Sequence, residues 1–337
     1  MAASVQDHVS RINAILDTRG ARLMPTGAHP WMDPLTETRL WPHEYSPIYE
    51  AYNRIFGCSG HGWSNLQSMH INLPFAGDAE FGRLHAAIRL LMPIMPALTA
   101  STPILDGRPT GSKDSRMEVY RHNSQRVPSV AGEIIPEKAY DRKTYDTLIF
   151  RPMYRDIAAL DPEGTLQHEF LNSRGAIARF ERDTIEIRVL DTQECPRADL
   201  AAAWLITCVL QRMVSEYWSD IERQKQWEVA PLARIFLDVI RDAESAIVRD
   251  RKYLAMFGLP NTASATAGDL WRHLLQQCAA GVDATGLLPD TAAAMLRAGS
   301  LSTRILKAMK GDFRRERLRG VYQELCDCLA RGKLFGV

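Results

Sequence analysis

The sequence predicts an α+β fold in which a mixed first part with antiparallel strands is followed by a helical second part. Three observations carry this. Two segments, 66–73 and 184–189, alternate apolar and polar side chains, as half-buried strands do. A third apolar run, Ala176 to Phe180, stands just before the second of them, with Arg182-Asp183 as a turn, so the two read as a hairpin. From Ala198 onward the apolar spacing is helical almost throughout, and the chain has no internal repeat or low-complexity segment.

Taken in order, Val5 to Leu16 has a weak helical pattern, and Arg22 to Pro25 looks strand-like. A loop rich in Pro, Gly and Trp leads to a helix over Glu44 to Phe56, ended by Gly57. Asn65 to Leu73 is a strand. Ala79 to Leu98 is an apolar helix that Pro93 and Pro96 should kink or end. Thr102 to Lys138 reads as loop and Thr144 to Leu160 as helix. Leu200 to Trp218 is apolar nearly all round, as a buried helix is. Leu232 to Phe257 reads as one long helix stopped by Gly258 and Pro260. Three or four shorter helices follow, the last with Leu318, Val321, Tyr322, Leu325 and Leu329 on one stripe.

Length and composition bound the function. At about 150 residues per domain, 337 residues suggest two units, placed here at 1–230 and 231–337. Lys plus Arg is 41 against Asp plus Glu 40, a net charge of +1, so a nucleic-acid coat is not expected. The six cysteines form no CxxC pair and read as reduced thiols of a cytoplasmic protein. The first ten residues do not have the pattern of a signal peptide, and the longest apolar stretch, Leu200 to Leu210, is too short to span a bilayer.

The alternation has a chemical consequence. Ser68, His70 and Asn72 share one face of their strand, and Thr184, Glu186 and Arg188 share one face of theirs. Such faces are ordinary on a half-solvated sheet. They also fit a concave site, with His70 and Glu186 as nitrogen and oxygen ligands of a hard divalent cation and Arg188 one pleat along to neutralise a phosphoryl group.

The segments Ser64-Asn65-Leu66-Gln67-Ser68-Met69-His70-Ile71-Asn72 and Thr184-Ile185-Glu186-Ile187-Arg188-Val189-Leu190-Asp191 resemble the metal-binding histidine strand and the Glu-x-Arg strand of the second glutamate–cysteine ligase family, the carboxylate–amine ligases. Gly27-Ala28-His29-Pro30-Trp31, the helix before Ala100-Ser101-Thr102-Pro103, and Arg116 to Pro136 also look like family segments. The resemblance covers roughly Val5 to Ala230. It implies a glutamine-synthetase-like catalytic fold over 1–230, a curved antiparallel sheet backed by helices, with 231–337 as a helical region packed on it. It also implies ATP- and Mg²⁺-dependent amide formation between a carboxylate, with glutamate first in line, and an amine such as cysteine, in a homo-oligomer. Carried over residue by residue, His70 and Glu186 become metal ligands, Arg188 the phosphate or carboxylate clamp, and Arg116 the substrate-carboxylate arginine. Ser68, Asn72 and Arg121 become nucleotide contacts. The family's usual first strand carries Glu-x-Glu; no such motif precedes His70 here, where Glu37, Glu44 and Glu50 are scattered. A non-catalytic or truncated relative that binds nucleotide or amino acid, or an assembly subunit, is the alternative function.

Other motifs weigh less. Arg116 to Arg126, which includes Glu118, Arg121 and His122, reads equally as a solvated loop and as a substrate lid. His168-Glu169 lacks the second histidine of HExxH, because position 172 is Asn. Gly57 to Gly62 lacks the Gly-Lys-Ser/Thr end of a P-loop. Glu133 and Glu137 are candidate extra carboxylates, and the basic run Lys307 to Arg319 reads as a solvated face.

Overall fold

In a computed structural model, which describes residues 2–279 and 286–337, the alternating segments pair as one antiparallel sheet. Its strands are β1 (Ser68–Pro74), β2 (Ala176–Arg179) and β3 (Thr184–Asp191), in the order β1-β3-β2. The architecture is α+β. The hairpin forms as expected, with Arg179 opposite Thr184 and Asp183 in a left-handed conformation (φ 48°) at the turn. β3 is therefore the central strand, and Ile185, Ile187 and Val189 bury its apolar face completely.

Behind the sheet lies the kinked helical run. The helix Gly77–Leu91 passes through a 3₁₀ turn, Met92–Ile94, into Met95–Thr99. The break falls at the prolines, which remove backbone donors and clash with the preceding turn. The hydroxyl of Tyr253 donates to the carbonyl of Leu90 (2.7 Å), and the indole of Trp271 donates to that of Ile94 (2.7 Å). Pro196–Val214 packs on the same layer, as its all-round apolar sequence requires.

Three expectations are corrected. Arg22 to Pro25 is not a strand; the N–H of Leu23 bonds to the side chain of Asn13 (2.9 Å). The loop from 102 to 138 contains a small ribbon, Ile104–Leu105 with Arg108–Pro109, and a helix, Ser115–Tyr120, capped by Asp114, which accepts from the N–H of Met117 (2.9 Å). The single long helix after residue 232 is in fact Val229–Asp242 and Arg251–Ala255. Between them Ala243 takes a positive φ (46°) and Ile247–Val248 pairs with Ala265–Thr266.

No described helix is long and apolar enough to cross a membrane, and all six cysteines are free thiols.

Candidate functional site

The sheet register builds the site. Asn72 stands directly opposite Glu186, so the two share a face. Between the pairs Met69↔Leu190 and Ile71↔Ile187, β3 spends one residue more than β1. Such a bulge bends a strand and re-aims side chains, and this one lies where His70 meets Arg188. As a result the Nδ1 of His70 comes to 3.3 Å from the Oε1 of Glu186. The other ring nitrogen, Nε2, lies 2.8 Å from the hydroxyl of Ser68. Residues more than a hundred positions apart thus form one line of close polar contacts, Ser68–His70–Glu186.

Arginines surround the carboxylate. Arg188 donates through Nη2 to the Oε1 of Glu186 (2.5 Å) and through Nη1 to the hydroxyl of Tyr120 (3.4 Å). Arg179, on β2, places its Nε 3.5 Å from the Oε2 of Glu186 and a guanidinium nitrogen 4.0 Å from Glu169. Burial alone would raise the pKa of Glu186. The bond from His70 and the adjacent Arg188 charge outweigh that and hold it at about 2. Glu186 is therefore a fixed anion. Burial disfavours the charge on Arg188, but Tyr120 and Glu186 more than restore it. The Nε atoms of Arg179 and Arg188 are buried, and neither has a hydrogen-bond partner among the described residues. Buried unpaired donors of this kind are uncommon unless something else satisfies them. The Nε of Arg179 still has its 3.5 Å ion-pair contact with Glu186, so the unmatched donor is that of Arg188, and it suits an anion.

Among the described residues no group of three or more His, Cys, Asp or Glu could hold a metal alone. Two donors are present, His70 and Glu186. Their 3.3 Å spacing is close to the ~3 Å between neighbouring ligands of an ion bound at ~2.1 Å. Magnesium is commonly held by one or two protein groups, with water and substrate phosphates completing its shell. The donor set fits an ion that arrives with a nucleotide.

The other expected residues lie as follows. Asn72 is exposed on the same face as Glu186. Arg121 is engaged by both oxygens of Glu118 (3.0 and 3.2 Å). Arg116 is buried in an ion pair with Asp191, at the far end of β3, and its nearest approach to the site is the carbonyl of Arg188 (3.5 Å). Tyr120 and Arg179 were not among the sequence candidates. Arg179 sits on β2 two residues from Ile177, which pairs with Glu186, so alternation along β2 was the available signal. Tyr120 carried none, because its helix reads as loop.

A model of glutamate-cysteine ligase family 2 matches residues 1–324. The chain belongs to that family. Among relatives of this family member, an uncharacterized protein of Archaeoglobus fulgidus is 33% identical over 222 residues, 66% of this chain and 59% of the relative. A putative glutamate–cysteine ligase 2 of Corynebacterium glutamicum is 24% identical over 264 residues, 74% of this chain and 63% of the relative. A chloroplastic glutamate–cysteine ligase of Solanum lycopersicum is 23% identical over 176 residues, 51% of this chain and 34% of the relative. The chain thus spans about 59–63% of the first curated relatives it matches.

Proposed function

We propose that the chain is an ATP-dependent carboxylate–amine ligase working on the polar face of β1 and β3, with glutamate as the carboxylate. The observation that carries this reading is the convergence of His70, Glu186, Arg188 and Arg179, with the buried Nε–H of Arg188 lacking a partner. Phosphoryl transfer asks a protein mainly to position reactants and to neutralise spread negative charge, and these groups supply both. We read 1–230 as a glutamine-synthetase-like catalytic unit and 231–337 as the helical region behind it. An antiparallel sheet with one apolar face on helices and one polar face carrying His70, Asn72 and Glu186 supports that reading.

In this mechanism a carboxylate oxygen attacks the γ-phosphorus of ATP and ADP leaves. The resulting acyl phosphate is attacked at carbon by the amine nitrogen, and the C–O bond to phosphate breaks. An amine that arrives as an ammonium gives up two protons, one carried off on the phosphate and one released. Arg188 and Arg179 neutralise the transferring phosphoryl group. His70 and Glu186 would hold Mg²⁺, which neutralises phosphate oxygens when bound. Ser68 orients the His70 ring through its bond to Nε2. Arg116, being buried, acts as the support of β3 beneath Arg188.

The test is ADP release by purified protein given ATP, Mg²⁺, glutamate and a panel of amines. Amine-dependent release is expected, and Glu186→Gln should reduce it at least 100-fold, on the order of the loss when one charge-stabilising group is removed, because a neutral amide is a far poorer partner for a cation. Saturable ATP binding without any turnover would instead favour the non-catalytic reading, which the short two-donor set motivates.

A further inference from the structure

A cavity of about 660 Å³ opens beside the loop that precedes β1. That is the size of small-molecule sites, which run from about 300 to 1,000 Å³ with mostly apolar walls. Trp41, Tyr49, Tyr52 and Trp63 line it, and Glu37 and Arg39 are its charged members. The wall is built. Tyr52, Phe56 and Trp63 pack ring on ring, with centroids 5.5 to 6.0 Å apart. The hydroxyl of Thr38 donates to that of Ser64 (2.8 Å), tying the loop to the short helix that carries Trp63. Beside this packed wall, Trp41 is 56% exposed and Tyr49, on the same helix as Tyr52 and Phe56, is 42% exposed. Holding large rings in water forgoes burial that would stabilise each by about 1.5–3 kcal/mol. Clustered exposure of this kind marks binding surfaces.

The packed wall of the cavity rests against the elements that carry the Glu186 cluster. The hydroxyl of Tyr52 donates to the carbonyl of Phe170 (3.3 Å), whose neighbour Glu169 faces Arg179 at 4.0 Å. The helix carrying Trp63 packs on Ser115–Tyr120, and Tyr120 meets Arg188. Its electrostatics favour one kind of occupant. The guanidinium of Arg39 is turned onto the carbonyls of Thr36 and Thr38 (3.1 and 2.8 Å). The Glu37 carboxylate, which accepts from the N–H of Asp33 (2.8 Å), offsets the Arg39 charge, so the discriminating feature is the electronegative faces of the rings, which attract an organic cation.

We propose that this cavity is the acceptor subsite and that the acceptor is an amine carrying an aromatic or similarly large apolar group, with its ring among Trp41, Tyr49 and Trp63 and its nitrogen toward Tyr52 and the Glu186 cluster. The inference rests on the ligase reading for its chemistry, but the binding it describes can be tested apart from turnover. Calorimetry would compare 2-phenylethylamine, ethylamine and cysteine on the full chain without ATP, and ADP release would be followed in parallel with ATP, Mg²⁺ and glutamate. Phenylethylamine should bind at least tenfold more tightly than ethylamine or cysteine and show the lowest KM. Trp41→Ala, whose exposed ring can be removed without opening the core, should weaken it at least tenfold, and Trp63→Ala should do the same if it folds. Phenylethylamine binding that Trp41→Ala weakens, with no ADP release for any amine, supports the subsite and overturns the ligase reading. Cysteine-dependent ADP release without phenylethylamine binding overturns the subsite and leaves the ligase reading standing. Loss of ATP affinity in Trp41→Ala, with phenylethylamine unaffected, overturns the subsite as well, since the cavity would then hold the nucleotide base.

Discussion

Asp191 ends β3 in a buried knot. Its carboxylate accepts from the backbone N–H of Ser101 (2.8 Å), the hydroxyls of Ser101 (3.2 Å) and Thr102 (3.0 Å), and the guanidinium of Arg116. Gly27 closes the knot from a distant segment, donating its N–H to the hydroxyl of Ser101 (2.8 Å). A Cβ at Gly27 would stand 2.5 Å from the Cγ of Asp191, and that side chain is held on every side. Four segments that resemble family motifs separately thus meet around one carboxylate. Gly27→Ala should destabilise the fold by about 1–3 kcal/mol, the usual cost of overpacking. Urea unfolding measures this, and a midpoint equal to that of the unaltered chain would contradict the account. Arg116→Met should cost more, about 3–5 kcal/mol, because it leaves Asp191 buried without its counter-charge.

The helix Pro196–Val214 starts five residues after Asp191, and its first turn contains Asp199, which accepts from the N–H of Gln193 (2.9 Å). Burial pushes the Asp199 carboxyl up to about 7; the Gln193 bond opposes this and the nearby Glu194 charge adds to it. The folded state therefore keeps a proton between about pH 4 and pH 7 that the unfolded chain has released, so stability falls as pH rises through that window. Asp199→Asn keeps the acceptor and removes the titration. It should gain roughly 1–3 kcal/mol over the unaltered chain at pH 8, after allowing for the helix N-terminus that favours the anion, and nothing near pH 4. Equal differences in Tm at both pH values would refute this. At this scale the sequence was legible where one buried face fixed the side chains. Alternation in β1 and β3 brings His70, Glu186 and Arg188 to one face, because a strand with Ile185, Ile187 and Val189 buried has no second register. The break at Ala243 was not legible. No Gly or Pro marks it, and its stop comes from pairing with Ala265–Thr266, twenty residues on. The orientations of Arg116 and Arg121 were also hidden, since an arginine in a polar loop shows its charge but not which carboxylate will claim it.

Across the whole molecule, a single apolar cluster runs from Ala51 through the sheet residues Ile185, Ile187 and Val189 to Phe236, Trp271 and Leu296, crossing residue 230 without a gap. A smaller cluster joins Ile104 to Leu301, Ile305, Tyr322 and Phe335. One buried clasp links the end of the sheet to both. Arg304 pairs with Glu194 and donates to the carbonyl of Phe335 (2.7 Å), while the N–H of Phe335 donates back to Glu194 (3.2 Å). Removing one member leaves a charge buried alone, which costs about 3–5 kcal/mol, whereas removing both avoids that penalty. Arg304→Met should therefore lower stability by about that amount. The double variant Arg304→Met with Glu194→Leu should recover part of it, though not all, because the backbone of Phe335 loses both partners. Since the large cluster is shared across residue 230, each variant should still unfold in one step, with tryptophan fluorescence and far-ultraviolet circular dichroism changing together in urea. Six of the seven tryptophans precede residue 230 and Trp271 follows it, so fluorescence reports mainly on the first part and circular dichroism on both; separate midpoints from the two probes would show that the halves are stabilised independently, and a double variant no better than the single would place the cost of Arg304→Met in lost packing rather than in the stranded charge.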